Sequence, residues 1–251
     1  MDSASLLDLI RVLVFECPEL FQTDFESLEY SYLSSDDNVI SIELNYRMSR
    51  SKYEAMRENC EAAVKTIKKA CRGMSDEEKE LYVFNLLVEN CIYDTEGRYS
   101  STPWGALSDG RAKCDGASLA FKWAMEAMGI ECIAVTADTV GGNVGHSWNL
   151  VRLENGWYNV DVTQSLLNEG EYRSFIPYYV FNCADDVSGG FYEIHRVWKT
   201  MAKLPKCRTM ERSYYAVRGE LVEDGDSGKS AFRAALRDIE NYGIGTVQYE
   251  T

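Results

Sequence analysis

Arg111-Ala-Lys-Cys-Asp-Gly-Ala-Ser-Leu-Ala-Phe-Lys-Trp-Ala-Met125 reads as a loop that delivers one cysteine, Cys114, to the start of an amphipathic helix. From Ala117 onward, Leu119, Ala120, Phe121, Trp123, Ala124, Ala127 and Met128 recur near helical spacing. Gly129 supplies a left-handed stop. Asp115, Gly116 and Ser118 crowd the first turn, where acids and short polar residues are favoured. A cysteine placed there meets unpaired backbone N–H groups and the positive end of the helix dipole. Both favour thiolate, the reactive form.

Downstream lie Gly145-His-Ser-Trp-Asn-Leu-Val-Arg-Leu153 and Trp157-Tyr-Asn-Val-Asp-Val-Thr163, the first holding one of the chain's two histidines. Cysteine at a helix start, histidine on one strand and aspartate on the next can make a thiol acyl-transfer site. An imidazole takes the thiol proton and later returns it to a leaving amine. A carboxylate fixes the tautomer and steadies the imidazolium. The expected roles are Cys114 as nucleophile, His146 as base then acid, and Asp161 as orienter. The alternatives are a buried thiol that happens to begin a helix, a packed strand histidine and a strand-edge acid.

Hairpin geometry tests this. With a two-residue Asn155-Gly156 turn, residue 150 faces 161, and His146, Trp148, Leu150 and Asp161 share one face. Asp161 then lies four positions from the point opposite His146, too far at about 3.4 Å per residue. A four-residue loop, Leu153 to Gly156, keeps the parity and halves the offset. The expectation is that longer loop, or a bulge or strong twist near Gly145.

The chain has 251 residues, 45% of them apolar, so a sizeable core is available. Its net charge of −14 argues against nucleic acid and anionic membrane surfaces as partners. Eight cysteines occur, no two closer than eleven residues, with no zinc-ligand rhythm. Cys60, Cys71, Cys91, Cys132 and Cys183 sit in apolar surroundings and read as buried free thiols, in keeping with a reducing compartment. The first residues lack a basic leader and a cleavage site, and no apolar run reaches membrane length. The expected location is cytoplasmic, or extracellular if the chain is a piece of a longer protein.

Residues 3–16 read as a helix, and 27–33 and 39–46 as a hairpin. A long helix is expected over 50–72, with an inner face of Ala55 or Met56, Cys60, Ala63, Val64, Ile67 and Cys71. Ser75-Asp-Glu-Glu78 is a capping box opening the next helix. Residues 93–113 lack periodicity and lead into Cys114, so they read as one wall of the site. Strands are expected at 131–136, 177–181 and 191–198, with an irregular stretch at 164–176 and a turn at 185–190. The tail reads as strand (213–218), acidic loop (220–228), helix (229–241) and strand (246–250). His195, among Ile194, Val197 and Trp198, reads as structural, and the acidic loop lacks the ligand rhythm of a calcium site.

Cys114-Asp-Gly, Gly145-His-Ser-Trp-Asn149 and Trp157-Tyr-Asn-Val-Asp-Val-Thr163 resemble, in order and spacing, the three motifs of the transglutaminase-like superfamily: Cys-x-Gly, His-Ala-Trp-Asn and Trp-Tyr-x-Val-Asp-x-Thr. The resemblance covers roughly 75–200 and is nearest to bacterial members, which Pro18-Glu-Leu-Phe21 and Tyr214-Tyr215 also resemble. It implies a papain-like α+β core, a nucleophile helix packed on an antiparallel sheet. It also implies an aromatic oxyanion donor about ten positions before the cysteine, here Trp104, beside the Cys114 backbone N–H; Trp148 is a cleft-wall candidate. Ala117, Ser118, Ser147 and Gln164 depart from the family pattern. They leave the three central residues in place and alter the cleft.

The organisation expected is an N-terminal hairpin and helix extension (1–74), a transglutaminase-like core (75–205) and a C-terminal β-α-β tail (206–251). The chemistry expected is a cysteine-dependent amide hydrolase or acyltransferase acting on peptide or protein substrates through a thioester. Hydrolysis is favoured over transfer to lysine, since nothing in the sequence marks an amine tunnel. No metal or organic cofactor is required, and the motifs specify no oligomeric state. The competing expectation is a non-catalytic module that holds a peptide or protein in the same cleft.

Overall fold

The computed structural model describes residues 3–32, 39–139, 145–154, 156–166, 178–189, 192–194, 198, 203–222 and 248–249. Its centre is α4 (Cys114–Ala127), packed on an antiparallel five-stranded sheet. The strand order is β8 (Phe181–Cys183), β7 (Gly156–Val160), β6 (Gly145–Leu153), β5 (Cys132–Thr139) and β9 (Tyr192–Ile194). Before α4 come α1 (Ser3–Glu16), the hairpin β1 (Thr23–Tyr32) and β2 (Val39–Tyr46), α2 (Arg50–Ala70) and α3 (Asp76–Asn90). The short strands β3 (Ile92–Tyr93) and β4 (Arg111–Ala112) pair in parallel just ahead of the cysteine. After β7 come α5 (Val162–Leu166), then β8, α6 (Asp185–Gly189) and β9. The tail adds α7 (Tyr214–Arg218), β10 (Leu221–Val222) and β11 (Gln248–Tyr249).

Helix α4 buries ten of its fourteen residues, far more than one stripe, leaving Asp115, Trp123 and Ala127 half-buried and Glu126 exposed. Its alanines 117, 120 and 124 allow close approach. Phe121 and Met125 fill the space between Val83, Phe84 and Leu87 of α3, Ile67 of α2, and Val151 and Val160 of the sheet. Strand alternation sends Trp148 and Leu150 to the other face of β6, where they meet Phe15, Trp198 and Cys207. A lysine lies within this core. Lys122, 1% exposed, donates to Glu16 Oε2 (3.3 Å), Glu126 Oε1 (2.6 Å) and the Cys132 carbonyl (2.6 Å), tying α1 and β5 to α4.

The expected inner face of α2 holds at Met56, Cys60, Val64, Ile67 and Cys71, with Ala63 half-buried. The Ser75–Glu78 capping box is present in both directions. Five expectations shift. The stretch after Thr163 opens as helix α5, because Asp161 caps it. The strand expected at 177–181 is Phe181–Cys183, displaced by the turn at Tyr179 and Val180 that Phe181 N closes on the Tyr178 carbonyl. Residues 185–189 form a helical turn. The strand expected at 213–218 is helix α7: Ser213 accepts from Ala216 N, and Gly219 closes the turn at φ 71°. The tail's first strand is instead β10, which pairs in parallel with β11. The loop 34–38, the helix expected at 229–241 and His195 lie outside the described residues.

Candidate active site

Cys114 is the first residue of α4, preceded by extended Lys113 (φ −94°, ψ −178°), and it is buried. The segment 100–102 lies directly on that first turn, and Lys113 N donates to the Ser100 carbonyl at 3.0 Å. A Cβ at Gly116 would collide with the Ser100 carbonyl and sit 2.8 Å from the Thr102 carbonyl. Glycine two places after the cysteine is therefore what lets this wall close on the helix, as the reading of 93–113 anticipates.

The β6–β7 ladder runs Asn149↔Val160, Leu150↔Asn159, Val151↔Tyr158, Arg152↔Trp157 and Leu153↔Gly156. Residue 150 faces 159 and not 161, the register expected of a longer loop. But Leu153 itself pairs with Gly156, so only two residues separate the strands. The offset is halved by a two-residue connection set one place earlier than Asn155-Gly156, and the four-residue loop is not formed. The point facing Asp161 is then Trp148, two places from His146. Such a diagonal pair is within reach of long side chains, and His146 Nε2 meets Asp161 Oδ2 at 2.7 Å. Asp161 Oδ1 accepts from Thr163 N (2.9 Å) and Gln164 N (3.2 Å), and its own N–H donates to the Val180 carbonyl (2.8 Å). One carboxylate oxygen caps α5 while the other holds the imidazole.

With Nε2 engaged by Asp161, the imidazole's hydrogen bond to Cys114 falls to Nδ1. Burial opposes the imidazolium, but the Asp161 carboxylate and the Cys114 sulfur outweigh it and hold the His146 pKa well above the usual histidine value. Behind the ring, Trp148 stacks at 13° with centroids 6.2 Å apart. The Trp148 indole N–H donates to Asn159 Oδ1 at 2.9 Å, so it is committed and supports the histidine from the core. Asn149 Nδ2 donates to the Ser118 carbonyl of α4 at 3.0 Å.

Trp104 makes no hydrogen bond to Cys114, His146 or Asp161 among the described residues. Its ring sits with Phe21, Tyr53, Met56, Tyr99 and Trp123, and its buried indole N–H has no partner among the described residues. Two phenols escaped the sequence reading. Tyr93 has its pKa raised by burial and by the charges of Cys114, Asp115 and Asp161; Tyr179 has its own raised by burial and Asp161. The Tyr93↔Ala112 register places Tyr93 near Cys114. The short β3–β4 pairing behind this leaves almost no periodic signal.

All eight cysteines are free thiols. Burial pushes up the thiols of Cys17, Cys60, Cys71, Cys91, Cys132, Cys183 and Cys207, with Cys91 at about 11 and Cys60 at about 12. A cavity of about 450 Å³ lined by Lys65, Lys69, Arg72, Met74 and Met128 lies at the far end of α4 from Cys114, about 20 Å along the helix axis, and does not belong to this site.

The thiol at the start of α4, the imidazole on β6 and the carboxylate just beyond β7 thus lie together. Residues 63–162 match the family model described as the Transglutaminase-like superfamily. No curated protein matches the chain. Among solved structures it is similar to a TGase, at 14% identity and a TM-score of 0.40, over 60% of this chain and 50% of that one. It is also similar to a candidate cysteine protease from Cytophaga hutchinsonii, at 15% identity and a TM-score of 0.37, over 42% of this chain and 38% of that one. The chain thus spans half the length of the first relative and less of the second.

Proposed function

We propose that this protein is a cysteine-dependent amide hydrolase or acyltransferase acting on peptide or protein substrates, with Cys114, His146 and Asp161 as its catalytic residues. The observation that carries the reading is the unbroken series from the Cys114 sulfur through His146 to Asp161 Oδ2, fixed at its far end by a helix cap.

The proton on sulfur moves to His146 Nδ1 as the sulfur attacks the carbonyl carbon. The tetrahedral oxyanion faces the start of α4, where the Cys114 backbone N–H is the donor. Collapse breaks the C–N bond, and the imidazolium gives its proton to the departing amine. The remaining thioester is attacked by water, whose proton goes to His146, and collapse returns the thiol. Water is the favoured acceptor in this reading.

The test is alkylation by iodoacetamide across pH 5–9 with the adduct located by mass. The expected result is selective labelling of Cys114 below pH 7, abolished in His146→Ala. Slow, even labelling of several thiols would instead favour a binding module. Peptide libraries incubated with and without a primary amine then separate hydrolysis from transfer.

A further inference from the structure

The Cys114 sulfhydryl has a second acceptor besides His146. Asp115 Oδ1 lies 3.8 Å from Cys114 Sγ, within range of an S–H hydrogen bond. That same oxygen accepts a hydrogen bond from the Ser147 hydroxyl, which is 1% exposed on the strand carrying His146. Lys113 Nζ stands 3.8 Å from the other oxygen, Oδ2. Asp115 is therefore aimed rather than loose. One oxygen is held toward the sulfur by a buried hydroxyl, and the other is drawn outward by a cation.

An acceptor anion beside a thiol favours the protonated sulfur and opposes the negative one. The groups facing this position are Lys113 and Asp115 on the helix start, Tyr93 from β3, His146 from β6, and Asp161 behind the imidazole. Of these, His146 alone can draw the proton off the sulfur. Asp115 holds it there.

We propose that Asp115, positioned by Ser147, holds the resting Cys114 sulfhydryl, and that this contact must break before His146 can take the proton. Only the proton moves, from sulfur to His146 Nδ1, and the electron pair stays on sulfur. Ser147 acts through Asp115 and is a positioning residue. The inference rests on the reading of Cys114 as nucleophile. It assigns a purpose to Ser147, one of the residues that departs from the family motif.

The test is a double-mutant cycle on the full chain, read by the rate of Cys114 alkylation between pH 5 and 9. Asp115→Asn can still accept from Ser147 but carries no charge. It should label roughly tenfold faster than wild type near pH 6 and equally fast near pH 9. Ser147→Ala should shift the low-pH rate in the charged background and have no effect in the Asp115→Asn background. A profile for Asp115→Asn that overlays wild type, or a Ser147→Ala effect of equal size in both backgrounds, overturns the proposal. If wild type shows His146-dependent labelling while Asp115→Asn overlays it, this inference alone fails. If His146→Ala leaves labelling unchanged, the nucleophile reading fails and this inference falls with it.

Discussion

His146 Nε2 and Asp161 Oδ2 meet at 2.7 Å across a diagonal of the β6–β7 ladder, not across a facing pair. The second oxygen of Asp161 caps helix α5, so the carboxylate cannot turn without freeing two backbone N–H groups.

Asp161→Asn keeps an oxygen for that cap but offers the histidine an N–H donor. Nε2 must then be unprotonated, which moves the ring proton to Nδ1, opposite the sulfur. Turnover should fall by roughly 10³–10⁴-fold, while the melting temperature stays close to wild type. Asp161→Ala should lose both, with a cap cost of about 1 kcal/mol. Calorimetry beside a rate assay checks this, and equal rates for Asn and wild type would remove Asp161 from the mechanism.

Gly116→Ala sets two effects against each other. Alanine favours a helix over glycine by about 1 kcal/mol. Its Cβ would collide with the Ser100 and Thr102 carbonyls, which are backbone and cannot swing aside. Overpacking of this kind costs about 1–3 kcal/mol, and the collision should win. A melting temperature a few degrees lower, with slower Cys114 alkylation, is the expected pair of readings.

Trp148→Phe keeps a ring against His146 and deletes the donor to buried Asn159 Oδ1. The unpaired acceptor should cost about 1–3 kcal/mol, lowering the melting temperature by roughly 2–10 °C. Cys114 labelling should stay within severalfold of wild type. A collapse of labelling with no loss of stability would make Trp148 part of the chemistry instead.

Glu80 is fully buried; its Oε2 accepts from Asn182 Nδ2 at 2.8 Å, and its Oε1 has no partner among the described residues. Burial is the main cause that pushes its pKa up to about 8, with the neighbouring Glu77 and Asp76 adding to it. The folded chain then keeps a proton that the unfolded chain releases above about 4.5. Stability from this group is complete below that value and is lost as pH rises to about 8, at no more than about 1.4 kcal/mol per pH unit. Glu80→Gln should remove the slope, so its melting-temperature advantage over wild type grows from pH 5 to pH 8. A difference that stays constant across that range would show that Glu80 does not bind the extra proton.

Much of this was legible in residue order. The spacing around Cys114 gave α4, and Gly129, at φ 85°, follows its end. Ser75 and Glu78 marked the start of α3. Such signals are local, because capping, periodicity and turn chemistry act within a few residues. Ser213 to Arg218 misled because its alternation suits a strand, while a serine cap and Gly219 close it as a helical turn.

The sequence by itself determined which side chains were available for the chemistry and the order in which the chain presents them. Only the tertiary structure decided the β6–β7 register, the splitting of Asp161 between cap and imidazole, and the approach of Asp115 and Ser147 to one sulfur. A strand's side chains repeat every two residues, so sequence fixes the face but leaves the register open in steps of two. The packing of α4 against β6 and the close contact at Gly116 set which residues meet, and those contacts join positions far apart along the chain.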